Sequence, residues 1–169
     1  VSRTIASKYL SSTSQIEYLF WYNQSVDRFQ FYVSPSGTGT GTATINADAL
    51  GSPSINTWYY VVAWHDSVSN TINIQVNNGT VNSSAHSTGV FDGTASFSIG
   101  AANNGASALM NGRIDAVGVW KRVLSAGERT SLYNSGNGVE TFAPSSPTSL
   151  VANGENAQVA LSWTAPSSY

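Results

Sequence analysis

The feature that most constrains this chain is its rhythm. Short stretches of β-branched and aromatic residues alternate with turn residues over most of its length. R-T-I-A-S-K-Y (3–9), I-E-Y-L-F-W-Y-N (16–23) and R-F-Q-F-Y-V-S (28–34) read as successive strands of an antiparallel meander. In the third, Phe29, Phe31 and Val33 share one side. W-Y-Y-V-V-A-W-H-D (58–66) is almost continuously apolar, the pattern of a strand buried on both faces. T-I-N-I-Q-V-N (71–77) alternates, placing Ile72, Ile74 and Val76 inward and Asn73, Gln75 and Asn77 outward. Asn77-Asn78-Gly79 then supplies turn residues that tolerate positive φ. Further short strands are expected near 80–85 and 95–100. Many short strands at even spacing predict a two-sheet β-sandwich.

The stretch from Gly112 to Asn134 adds the one helix. Ile114, Val117, Val119 and Trp120 favour a strand that ends at Leu124, with Asp115 expected as an acid buried among apolar neighbours. Ser125 with Glu128 three residues on fits a capping box. Leu132 and Tyr133 give the helix an apolar patch, and Gly136 and Gly138 are expected to stop it.

Composition narrows the function. Charged residues make up 9% of 169, against roughly a quarter in an ordinary soluble domain, and net charge is −2. The seven basic residues are scattered, so no footprint for nucleic acid or an anionic membrane exists. No apolar run reaches the length of a membrane span. Cysteine is absent, which excludes disulfides, thiolate metal sites and a cysteine nucleophile. A surface of Ser, Thr, Asn and Gly with no cysteine predicts an extracellular, cell-surface or virion-surface protein of a bacterium or phage. Val1 opens directly into a strand pattern, and the chain is expected to begin inside a larger protein. F-A-P-S-S-P (142–147) reads as a linker between a first domain (1–141) and a partial second one (148–169), whose two strands cannot bury Trp163 alone.

W-Y-Y-V-V-A-W-H-D, I-N-I-Q-V-N-N-G, S-I-G-A and G-R-I-D-A-V-G-V-W-K-R-V-L-S-A-G-E-R resemble, in order and spacing, the laminin-G-like, concanavalin A-like jelly-roll domains. The resemblance covers about residues 1–138. One or two strands that the family has before Thr4-Ile5-Ala6 are missing. P-T-S-L-V-A-N…V-A-L-S-W-T-A-P resembles the first strands of a fibronectin type III domain. The implied fold is an all-β, two-sheet antiparallel jelly-roll sandwich with one short C-terminal helix, then a partial fibronectin type III sandwich. The implied function is a non-catalytic module that binds glycans or surface proteins. The alternative is a structural or decoration domain of a phage tail, capsid or surface filament, its partners the subunits of that assembly. An accessory domain of a secreted glycosidase ranks third. Many such domains carry a structural calcium ion. Asp115 therefore has two readings, a calcium ligand or an acid that accepts backbone hydrogen bonds, and the second is preferred.

Catalysis finds little support. Glycoside hydrolysis needs two carboxylates across a cleft, and the related glucanases carry theirs as E-x-D-x-x-E on one strand. The nine acids here include no such pattern, so no enzymatic activity is expected. His65 and Asp66 point to opposite faces of a strand and cannot work as a pair. His86, in a Ser-rich stretch, is expected to be solvated. Flat rings beside polar groups are the usual sugar platform. The candidates for carbohydrate binding are Trp21, Tyr22 and Tyr32 on the early strands, with Asn103 and Asn104 in a loop. Trp58, Trp64 and Trp120 are expected in the core.

Overall fold

A computed structural model describes residues 1–139, 148–155 and 158–164. Two units divide the chain, Val1–Gly138 and Val139–Tyr169. The first is a β-sandwich. Its larger sheet holds β1 (Arg3–Leu10), β2 (Gln15–Asn23), β3 (Arg28–Gly37), β4 (Ala43–Asn46) and β8 (Phe97–Ile99), in the order β4-β3-β2-β1-β8. The smaller sheet is a meander of β5 (Val61–Asp66), β6 (Thr71–Val76) and β7 (Asn82–Ala85). Every pairing is antiparallel. The second unit contributes one antiparallel pair, β9 (Thr148–Glu155) and β10 (Gln158–Thr164). The linker predicted at 142–147 and the side chain of Trp163 lie outside the described residues.

The core forms where β3 meets β6. Phe31 and Val33 from one sheet and Ile72, Ile74 and Val76 from the other are buried together with Ala47. Tyr18, Phe20 and Phe29 pack around them, and Phe20 meets Phe31 edge-to-face at 6.1 Å. Alternation explains the choice: these residues occupy one face of their strands, at every second position. Glu17 interrupts the pattern as a β-bulge, since Ile16 and Tyr18 pair with both neighbouring strands while Glu17 pairs with neither and the register shifts across it. Its buried carboxylate pairs with Lys8 and accepts from Gly93 N–H at 2.8 Å, while Lys8 donates to the Gly93 carbonyl at 2.8 Å. The charges satisfy each other and hold the chain leading into β8.

Turns are made largely by asparagine. Asn56, Asn70, Asn77, Asn78, Asn103, Asn104 and Asn134 all have φ between 46° and 56°, a region that asparagine enters more readily than most side chains. Their amides also tie the turns to the rest of the fold: Asn77 accepts from Tyr60 N–H at 2.9 Å, and Asn134 donates to the Gly138 carbonyl at 2.8 Å.

Helix α1 (Ala126–Tyr133) starts as predicted. Ser125 Oγ accepts from Glu128 N–H, and the Glu128 carboxylate accepts in turn from Ser125 N–H. It ends at Asn134 in the left-handed region, before either glycine. Tyr133 packs on Tyr60 at 5.8 Å, and Arg129 stacks over Trp64 at 4.5 Å while its Nε donates to Gln75 at 2.8 Å. The helix thus covers the outer side of the smaller sheet.

Three strand expectations need correction. The segment from Gly112 to Leu124 is not a strand. After Met110 N–H bonds to the Gly100 carbonyl, no ladder partner takes over among the described residues, and Ala116, at φ 49°, leaves extended geometry altogether. β propensity is expressed only where a neighbouring strand completes the hydrogen bonds. Val119 is therefore 70% exposed, and Asp115 is exposed instead of buried. The apolar stretch from Trp58 begins its strand only at Val61. That strand, β5, is half-buried at a sheet edge, and Trp58 is 61% exposed instead of sitting in the core.

Two outcomes are expected of the first unit. Ile74→Ala should lower its unfolding free energy by about 2–5 kcal/mol in chemical denaturation, because Ile74 is fully buried between the sheets. Arg122, hydrogen-bonded through both its Nη atoms to Glu128, together with the Ser125 backbone, pulls the Glu128 carboxyl from 4.5 down to about 2. Its folded value is depressed, so its contribution is complete above pH about 4.5 and lost as pH falls towards 2. Glu128→Gln should remove that component of the acid-induced loss of stability, read by circular dichroism across this range.

Candidate functional site

The alternation that buries Phe20 and Phe31 turns the residues between them to the other face of the larger sheet. Leu19, Trp21 and Asn23 of β2 stand opposite Tyr32, Gln30 and Arg28 of β3, and Gln30 and Tyr32 in turn oppose Asn46 and Thr44 of β4. This outer face carries a continuous polar row. Trp21 Nε1 donates to Gln30 Oε1 at 2.8 Å, Asn23 Nδ2 donates to the same oxygen at 3.1 Å, and Gln30 Nε2 donates to Asn46 Oδ1 at 2.7 Å. Gln30 is 7% exposed, while Trp21, Tyr32, Asn23 and Asn46 keep part of their surface in water. A buried amide with both ends bonded stiffens the rings and amides around it.

Beside the row, Tyr32 meets Tyr9 of β1 edge-to-face at 6.4 Å across the intervening strand, and Leu19 is buried nearby. Burial pushes the Tyr32 phenol up, Tyr9 acts in the same sense, and the Thr42 hydroxyl pulls it back. The phenol therefore stays protonated at neutral pH and can donate. The β1 side of the face is bounded by the 101–107 loop, since Ser7 Oγ donates to the Ala101 carbonyl at 2.8 Å.

Of the residues singled out from sequence, Trp21 and Tyr32 come together on this face. Tyr22 points the other way, lying against Phe29 at 6.5 Å with its hydroxyl donating to Asp27 at 2.7 Å. Asn103 and Asn104 are turn residues. Asn103 Oδ1 accepts from Ser11 N–H and Oγ, both at 3.1 Å, and Asn104 Oδ1 accepts from Ser96 N–H at 3.1 Å. Asp115 Oδ1 accepts from Ala116 N–H at 2.8 Å. Among the described residues no group of three or more His, Cys, Asp or Glu side chains converges. Calcium at Asp115 would therefore have to draw its other oxygens from backbone carbonyls, amide or hydroxyl side chains, water, or from outside these residues.

Gln30, Asn46 and Tyr9 were missed from sequence. Gln30 had a legible signal, a polar residue flanked by Phe29 and Phe31 and so turned to their opposite face. Asn46 had none, because its partnership depends on the β3–β4 register. His86 is not solvated as expected. It is 6% exposed, edge-to-face with His65 at 5.4 Å, and its Nε2 lies 2.6 Å from the Gly89 carbonyl. It borders a shallow cavity of about 390 Å³ with Ser69, Asn70, Thr71 and Ser84. That cavity offers hydroxyls but no exposed ring, and is the poorer platform for a sugar.

Residues 2–128 match the laminin-G-type family described as the concanavalin A-like lectin/glucanases superfamily, and the chain belongs to it. No curated protein and no solved structure matches it significantly.

The network carries its own prediction. Gln30→Ala would leave the Trp21 indole N–H and the Asn23 amide without their acceptor, at a cost of about 1–3 kcal/mol in urea denaturation.

Proposed function

We propose that the chain is a non-catalytic carbohydrate-binding or adhesion module of a larger extracellular or surface protein. The observation that carries this reading is the outer sheet face. There Trp21, Tyr32 and Tyr9 offer ring surface for sugar C–H groups, and the hydrogen-bonded amides of Gln30 and Asn46 lie beside them. Membership of a lectin and glucanase superfamily agrees with it. The non-catalytic part rests on the acids. Among the described residues, Glu17 is engaged by Lys8, and the central row of this face presents amides and rings in place of a carboxylate pair. The β9–β10 pair fits the opening of a fibronectin type III domain, on the sequence grounds given above.

One observation favours the second reading, a structural domain of a phage or filament assembly. β8 closes the larger sheet with only three residues, and its Phe97 and Ile99 are exposed at 43% and 51%. An apolar edge of this kind suits burial against another subunit.

Glycan-array and calorimetric binding decide between them. Binding should persist when residues 139–169 are removed. It should fall by about tenfold or more in Trp21→Ala and Tyr32→Ala, which corresponds to about 1.4 kcal/mol for each ring. Tyr22→Phe should bind as the parent does. Failure to bind any glycan, with subunit association through β8, would favour assembly.

A further inference from the structure

The hydrogen bonds on the outer face have a fixed direction. An indole N–H can only donate, so the Gln30 atom 2.8 Å from Trp21 Nε1 is its carbonyl oxygen. The same oxygen receives Asn23 Nδ2, whose own Oδ1 accepts from Ser25 N–H at 3.0 Å. The other end of Gln30 must then be its NH₂ group, and the atom it meets at 2.7 Å on Asn46 must be Oδ1. This leaves Asn46 Nδ2 at the end of the relay, on a partly exposed side chain, with no acceptor among the described residues. Trp21, two strands away, thus dictates which end of Asn46 faces a ligand.

Charge on this face is equally defined. Arg28 is its basic residue on β3, opposite Asn23: its Nη1 donates to the Asp27 carbonyl at 2.8 Å and to Ser52 Oγ at 3.1 Å, while its Nε lies 3.3 Å from the exposed Asp48 Oδ1 without making a hydrogen bond. The row from Trp21 to Asn46 holds no charge. An anionic sugar laid on Trp21, Tyr32 and Asn46 would give up its hydration with no counter-charge inside the row, Arg28 standing at the Asn23 end with Asp48 beside it.

We propose that Asn46 is the specificity-determining donor of this face, and that the ligand is an uncharged glycan laid on Trp21 and Tyr32 with an acceptor oxygen on Asn46 Nδ2. The proposal rests on the carbohydrate-binding reading and adds the ligand's charge class and hydrogen-bond polarity. Asn46→Asp separates these ideas. Its carboxylate has the same shape and still accepts from Gln30 Nε2, so the relay and the fold persist, but the donor is gone. Asn46→Ala removes the donor without adding charge, although it also takes away the acceptor of Gln30 Nε2.

The experiment measures binding of the parent chain and both variants to neutral, uronic-acid-bearing and sulfated glycans, with melting temperatures taken alongside. The parent should prefer the neutral class. Both variants should lose about tenfold in affinity for it, as expected for one lost hydrogen bond at a partly desolvated site. Parental affinity for neutral glycans in folded Asn46→Asp and Asn46→Ala would overturn this proposal while leaving carbohydrate binding intact. So would a preference of the parent chain for acidic glycans. No binding of any class by the parent chain would overturn both readings.

Discussion

The contact of Phe31 and Val33 with Ile72, Ile74 and Val76 is the interaction on which the rest of the first unit depends. It fixes which face of β3 is inside. Because side chains alternate along a strand, it also fixes which face is outside, and a slip of one residue would exchange the two sets. Gln30 and Tyr32 lie on the outer face of the sheet for the same reason that Phe29 and Phe31 lie on the inner one. The outer face is therefore as strongly specified as the core, although most of its own bonds are between polar groups.

That coupling explains how a half-exposed polar row can be stiff. Its members sit on strands whose register is held from behind by buried apolar residues, and the Gln30 amide is itself buried between Trp21, Asn23 and Asn46. The bulge at Glu17 contributes at the other end of β2, where its pairing with Lys8 ties the approach to β8. Positioning comes from packed elements, and the polar side chains inherit it.

Much of this was legible in the residues themselves. The strands around Thr4–Tyr9, Tyr18–Asn23, Phe29–Val33 and Thr71–Val76 follow from alternation, and the capping box at Ser125 and Glu128 from two side chains at fixed spacing. Such signals are local, so short windows carry them. Apart from the helix end, taken by Asn134 ahead of the glycines, the failures are non-local. Val117 and Val119 have strand propensity, but a strand also needs a neighbour, which no stretch of thirteen residues can declare. Trp58 is apolar but lies outside β5, where most of its surface is left uncovered. His86 lies among serines in sequence and against His65 in space. The candidate site shows the same division: Trp21 and Tyr32 could be named singly as rings on strands, while the Trp21–Gln30–Asn46 relay exists only once β2, β3 and β4 are in register.

The asparagine turns have a consequence for the conditions under which this protein can work. They hold their left-handed backbone with uncharged amides, and several of those amides bridge to neighbouring elements, as Asn77 does to Tyr60 and Asn104 to Ser96. Ion pairs in such positions would weaken as ionic strength rose and would titrate with pH. Amides do neither. With charged residues at only 9% of the chain, these turns and the amide row of the outer face depend little on the electrolyte around them. The hydrogen bonds that shape these turns and this row thus keep their strength as salt rises or the medium becomes mildly acidic.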